Sequence, residues 1–164
     1  MKENKSQKFL RLKAEILNEI EALDRIHNEL KQLLATSKAK SKSTFELRAF
    51  GSILHDFYCG IERIFERIAE ELNGGLPEGK EWHRQLLRDM TLELKEIRPS
   101  VISEATEKYL AEYLRFRHIF RNIYGYTLEW QLMERLVENF EDILTTFKKD
   151  IKYFSFFLEK LSKA

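Results

Sequence analysis

Residues 54–87 read LHDFYCGIERIFERIAEELNGGLPEGKEWHRQLL. Leu54, Phe57, Ile61, Ile64, Phe65 and Ile68 recur at steps of three and four, the spacing that puts side chains on one face of an α-helix. The pattern stops at NGGLPEGKE (73–81), where three glycines and a proline disfavour a helix and favour a turn. Trp82, Leu86 and Leu87 then restart the helical period, predicting a third helix over about 81–95 with Met90 and Leu94. Helix, turn and helix, with no alternating strand pattern, set the class: all-α.

The same reading extends outward. Upstream, Ser43 and Glu46 form a capping-box pattern, so this helix starts at about 44 and includes Phe45 and Phe50. SKAKSKS (37–43) is a basic, polar loop. Before it, Phe9, Leu12, Ile16, Ile20, Leu23, Ile26, Leu30 and Leu33 predict a first helix over 8–36, preceded by a flexible arm, 1–7. Downstream, Pro99 lies in a connection and Ser103 caps a fourth helix, with Glu104 and Glu107 in its first turn. That helix runs through Tyr109, Leu110 and Leu114 to Gly125, which is placed to end it. A fifth helix is expected over 129–160, with Trp130, Met133, Leu136, Phe140, Ile143, Phe147, Ile151, Phe154 and Phe157 as its inner stripe. The expectation is a single domain, 1–164, folded as an up-and-down bundle of about five helices.

Composition narrows the function. The 164 residues are 43% apolar and 34% charged, with a net charge of +1. A general polyanion binder is usually far more basic, so any nucleic-acid contact must be local. One cysteine, Cys59, rules out an intramolecular disulfide framework and reads as a core residue in a reducing compartment. No apolar run of about 18 residues predicts a membrane span, and MKENKSQKF is not a secretory leader; the expected location is the cytoplasm. His27, His55, His83 and His118 fall on different helices, and His55 and Asp56, as neighbours on a helix, are expected to diverge. No metal site or cofactor is expected. NGGLPEG lacks the Lys-Ser/Thr ending of a phosphate-binding loop.

The candidate chemistry lies in RFRHIFRNIYGY (115–126). On a continuous helix Arg117, Arg121 and Tyr124 share one face, with His118 and Asn122 on the next. A solvated basic helix end is one reading, since arginine favours a helix C-terminus. Against it, the cations are all arginine, the bidentate reader of phosphate, and the neighbours are residues that hydrogen-bond or stack on bases.

The stretch resembles the signature of the HEPN superfamily: Arg, a polar residue, three or more residues, then His, followed in HepT-type toxins by any residue and Tyr. Arg117, His118 and Tyr124 fit; Asn122 stands where the family histidine belongs. The phrases at 54–87 and FRHIFRNIYGYTLEW (116–130) resemble the HepT-like branch, and the similarity spans about 8–160. The resemblance implies a homodimer with two motifs facing across a cleft, and a metal-independent ribonuclease toxin acting on RNA. It also implies a nucleotidyltransferase-fold antitoxin, which in some pairs adds AMP to the motif tyrosine, here Tyr124. Arg117, His118 and Asn122 become the catalytic candidates, and Arg115 and Arg121 the phosphate contacts. Glu62 and Asp56 are candidates to orient the arginines.

Metal-free RNA cleavage uses the ribose 2′-OH as nucleophile and needs a base, an acid and positive charge at the phosphate. Histidine suits the proton steps and arginine the charge. The Asn122 amide does not titrate near neutral pH. Three readings stay open: a weak or inactive relative that binds RNA or a partner, transfer of the proton role to His118, or an engineered or selected loss of activity. A non-catalytic interaction module that binds a nucleotidyltransferase partner, a nucleotide or RNA is the alternative.

Overall fold

The computed structural model describes residues 4–164. Its six α-helices are α1 (Lys5–Thr36), α2 (Thr44–Leu72), α3 (Trp82–Asp89), α4 (Glu104–Asn122), α5 (Glu134–Glu138) and α6 (Phe140–Lys163). The long helices form a closed ring in which α1 packs on α2 and α6, and α4 closes against α2 and α6. This is the expected all-α bundle. An aromatic layer fills its centre: Phe57 lies 4.2 Å from Phe140 and 5.2 Å from Tyr113 between ring centroids.

Helix starts follow the local chemistry. Ser43 and Glu46 form the anticipated capping box. The Ser103 side chain accepts from the Thr106 N–H, and Asp150 of α6 accepts from the Ser103 N–H at 3.2 Å and the Thr106 hydroxyl at 2.7 Å. The start of α4 is therefore tied to its neighbour. The first helix begins three residues before the expected position, because Asn4 and Gln7 make a capping box of their own. Of the arm expected at 1–7, residues 1–3 lie outside the described residues. Residues 37–43 form the expected non-helical connection.

Several expectations fail for identifiable reasons. Phe45 is 84% exposed, and burial on α2 begins only at Phe50. The third helix stops at Asp89 instead of about 95, because residues 90–102 wrap around Arg98. This side chain is 3% exposed; its guanidinium donates to Asn73 Oδ1 (2.8 Å) and to the carbonyls of Leu92 (2.8 Å), Pro99 (3.0 Å) and Asp89 (3.0 Å). The fifth helix is interrupted. Two 3-10 turns, Gly125–Thr127 and Trp130–Leu132, precede α5, and the chain breaks again at Asn139 before α6. The buried Tyr113 hydroxyl donates to the Leu136 carbonyl at 2.6 Å, the acceptor that the Phe140 N–H would use in a continuous helix.

Candidate functional site

The site begins with a buried carboxylate. Tyr58 and Glu62 are one turn apart on α2, facing α3 and α4, and both are buried among the apolar residues of the stripe. An isolated buried carboxylate is costly and needs partners. Glu62 has two: the His83 Nδ1 of α3 at 2.8 Å from Oε2, and the Arg117 Nη2 of α4 at 4.0 Å from Oε1. Three helices thus converge on one charge.

Arg117 is held inward, with its side chain 13% exposed, and its Nε–H has no hydrogen-bond partner. The Tyr58 hydroxyl is likewise buried without a partner. Burial first, and the Glu62 charge second, hold that phenol's pKa well above its ordinary value, so it stays protonated. Two donors are therefore left over around Glu62. Glu66, a turn further along α2, has its carboxyl raised by burial and by Glu62 and Glu70.

The other motif residues face solvent. Arg115, His118, Arg121 and Asn122 are exposed on the last two turns of α4. Among the described residues, the Arg115 and Arg121 guanidinium groups and the His118 ring make no hydrogen bond or ion pair. The Asn122 amide donates to the His118 carbonyl at 2.7 Å, so it binds its own helix and not the His118 ring. The helix ends here, three residues before Gly125, as Ile123 turns to extended backbone (φ −122°, ψ 159°). Tyr124 therefore leaves the face it was expected to share with Arg117 and Arg121. It stands 72% exposed and stacks on Tyr126.

The candidate set is thus split, with Arg117 drawn inward toward Glu62 and the remainder displayed around the end of α4. Asp56 does not reach an arginine; it is largely exposed and approaches His55 at 3.6 Å, where divergence was expected. Their side chains bend together around the helix surface. Cys59 is only half-buried, with Sγ 3.7 Å from His55 Nε2. Sequence reading missed His83 and Tyr58. A glutamate on the apolar stripe one turn after a tyrosine was the available signal for a buried polar cluster; nothing local to 83 pointed to Glu62.

The family model described as HepT-like protein matches residues 49–158, which takes in α2 from residue 49 onward, all of α3 and α4, and the whole 115–126 stretch. The chain belongs to the HepT-like family. The match leaves α1 outside, although the resemblance extended back to about residue 8. No curated protein and no solved structure matches this HepT-like chain. Among its described residues no helix is long and apolar enough to cross a membrane.

Proposed function

We propose that this chain is the toxin-type half of a toxin–antitoxin pair. In this reading its α4 end binds RNA phosphate as a metal-independent ribonuclease site, attenuated at Asn122. The observation that carries the reading is Arg117. It is the motif arginine, drawn inward toward the buried Glu62 that His83 also binds, yet its guanidinium makes no hydrogen bond among the described residues. A positioned guanidinium with unspent hydrogen-bonding capacity suits the charge that develops on a phosphate under attack by the 2′-OH. Arg115 and Arg121 supply further cations for the strand, and the exposed His118 ring is the titratable group beside them. Dimerisation brings a second copy of these groups into one cleft. The exposed Tyr124 hydroxyl is open to a nucleotidyltransferase-fold antitoxin; an AMP group there adds negative charge that opposes an incoming phosphate.

Restoring the missing acid–base group tests this. Asn122→His is expected to raise RNA cleavage in the presence of a chelator by about 10²–10⁴-fold, the usual worth of such a group. A folded, dimeric Asn122→His protein with no gain sinks the attenuated-nuclease reading. A second reading, a non-catalytic interaction module, is favoured by the Asn122 amide being spent on its own backbone. Adding Arg117→Ala separates the two. It abolishes the gained cleavage under the first reading and leaves partner binding largely intact under either.

A further inference from the structure

The turn after α4 carries groups that phosphate binding does not use. The rings of Tyr124 and Tyr126 stack in parallel, with centroids 5.4 Å apart and planes 7° from each other. They stand 72% and 67% exposed. Most tyrosines bury the ring and expose the hydroxyl. This pair instead leaves its rings largely exposed apart from the sides they turn to each other, and neither hydroxyl makes a hydrogen bond among the described residues.

A small pocket of about 180 Å³ adjoins the same turn, lined by Arg48, Phe120, Ile123, Gly125 and Leu128. It is smaller than the roughly 300–1,000 Å³ of pockets that take drug-sized ligands, which suits a single ring system. Arg48 lies over Gly125. A Cβ at that position would come within 2.5 Å of the Arg48 Cζ and Nη1. The Gly125 φ is not positive, so glycine serves here as clearance for the guanidinium and not as a left-handed hinge. Arg48 is exposed at the pocket and makes no hydrogen bond or ion pair among the described residues.

The geometry points to a nucleobase-binding subsite formed by Arg48, Gly125 and Phe120 together with the stacked Tyr124–Tyr126 pair. It rests on the RNA reading above and adds where a base sits. A guanidinium plane and exposed aromatic rings both accept a planar base face, and the unspent Arg48 donors reach base-edge acceptors. The sugar–phosphate chain then continues toward Arg121 and Arg115, which contact backbone and not base. Stacking of this kind is tolerant of sequence, because every base has a π-face.

The test compares a short 2′-O-methyl RNA, which lacks the nucleophile for cleavage, with its abasic counterpart, by fluorescence anisotropy on the full chain. The wild type is expected to bind the base-bearing strand about tenfold or more tighter, the usual worth of one stacked base. Arg48→Ala and Tyr126→Ala should bring the two affinities together, while Tyr126→Phe keeps them apart. Gly125→Ala, which pushes Arg48 aside, should act like Arg48→Ala. Equal wild-type affinity for the two strands, or full discrimination in both alanine variants, overturns the subsite and leaves the RNA reading standing. Absence of binding to either strand overturns both. Thermal melting of each variant separates a lost fold from a lost contact, and the exposed Arg48 and Tyr126 positions are expected to leave the melt unchanged.

Discussion

Two inward-facing arginines divide this molecule, Arg98 buried and Arg117 partly so. Arg98 spends its guanidinium on four acceptors, three of them main-chain carbonyls, and burial lowers its pKa against the pull of Asp89. Arg117 has one carboxylate at 4.0 Å and a buried Nε–H with nothing to bond. The first is a knot that closes the loop between α3 and α4. The second is aimed at a charge but not saturated. Buried polar groups are normally satisfied, and Arg117 Nε is one of four buried side-chain atoms among the described residues without a partner, the one that belongs to the motif.

The contrast can be broken by mutation. Arg98→Ala should cost the most, about 3–5 kcal/mol, because it removes a buried side chain and takes the donor from three partly buried carbonyls and the Asn73 amide oxygen together. Urea denaturation gives the figure, and Arg98→Lys should recover little of it, since an ammonium cannot reproduce the fork. Arg117→Ala should cost about 1–2 kcal/mol in the same assay, since Nε has no bond to lose and His83 still holds Glu62. A loss equal to that of Arg98→Ala would make Arg117 a structural residue too. Tyr58→Phe should be smallest, within about 0.5 kcal/mol of wild type or slightly stabilising, because its buried hydroxyl has no partner to give up. A loss above about 1.5 kcal/mol would show that the hydroxyl is bonded in solution and that the Glu62 cluster is closed.

The helical class was legible because its signals are local: the stripes of α1, α2 and α6, the Ser43–Glu46 box and the Ser103 cap each sit within a few residues. The errors came from bonds across the chain. The stripe from Trp130 to Phe157 is continuous on paper, but Tyr113, more than twenty positions earlier, takes the carbonyl that would have carried the helix past Asn139. The end of the third helix depends on Arg98, whose acceptors span Asn73 to Pro99. At the site, the order of Arg117, His118, Asn122 and Tyr124 could be read directly. Glu62 was read as a candidate to orient the arginines and does approach Arg117, but the contact of Glu62 with His83 of a third helix could not be read from either segment. Gly125 suggested a helix end but marked the clearance for Arg48 instead.

The bond from Asn122 to the His118 carbonyl has a genetic consequence. The side chain leans only on its own helix, is exposed, and supports nothing else in the bundle. The codons for asparagine and histidine differ by a single base. A lineage carrying this chain can therefore exchange the two residues in one mutational step without disturbing the fold.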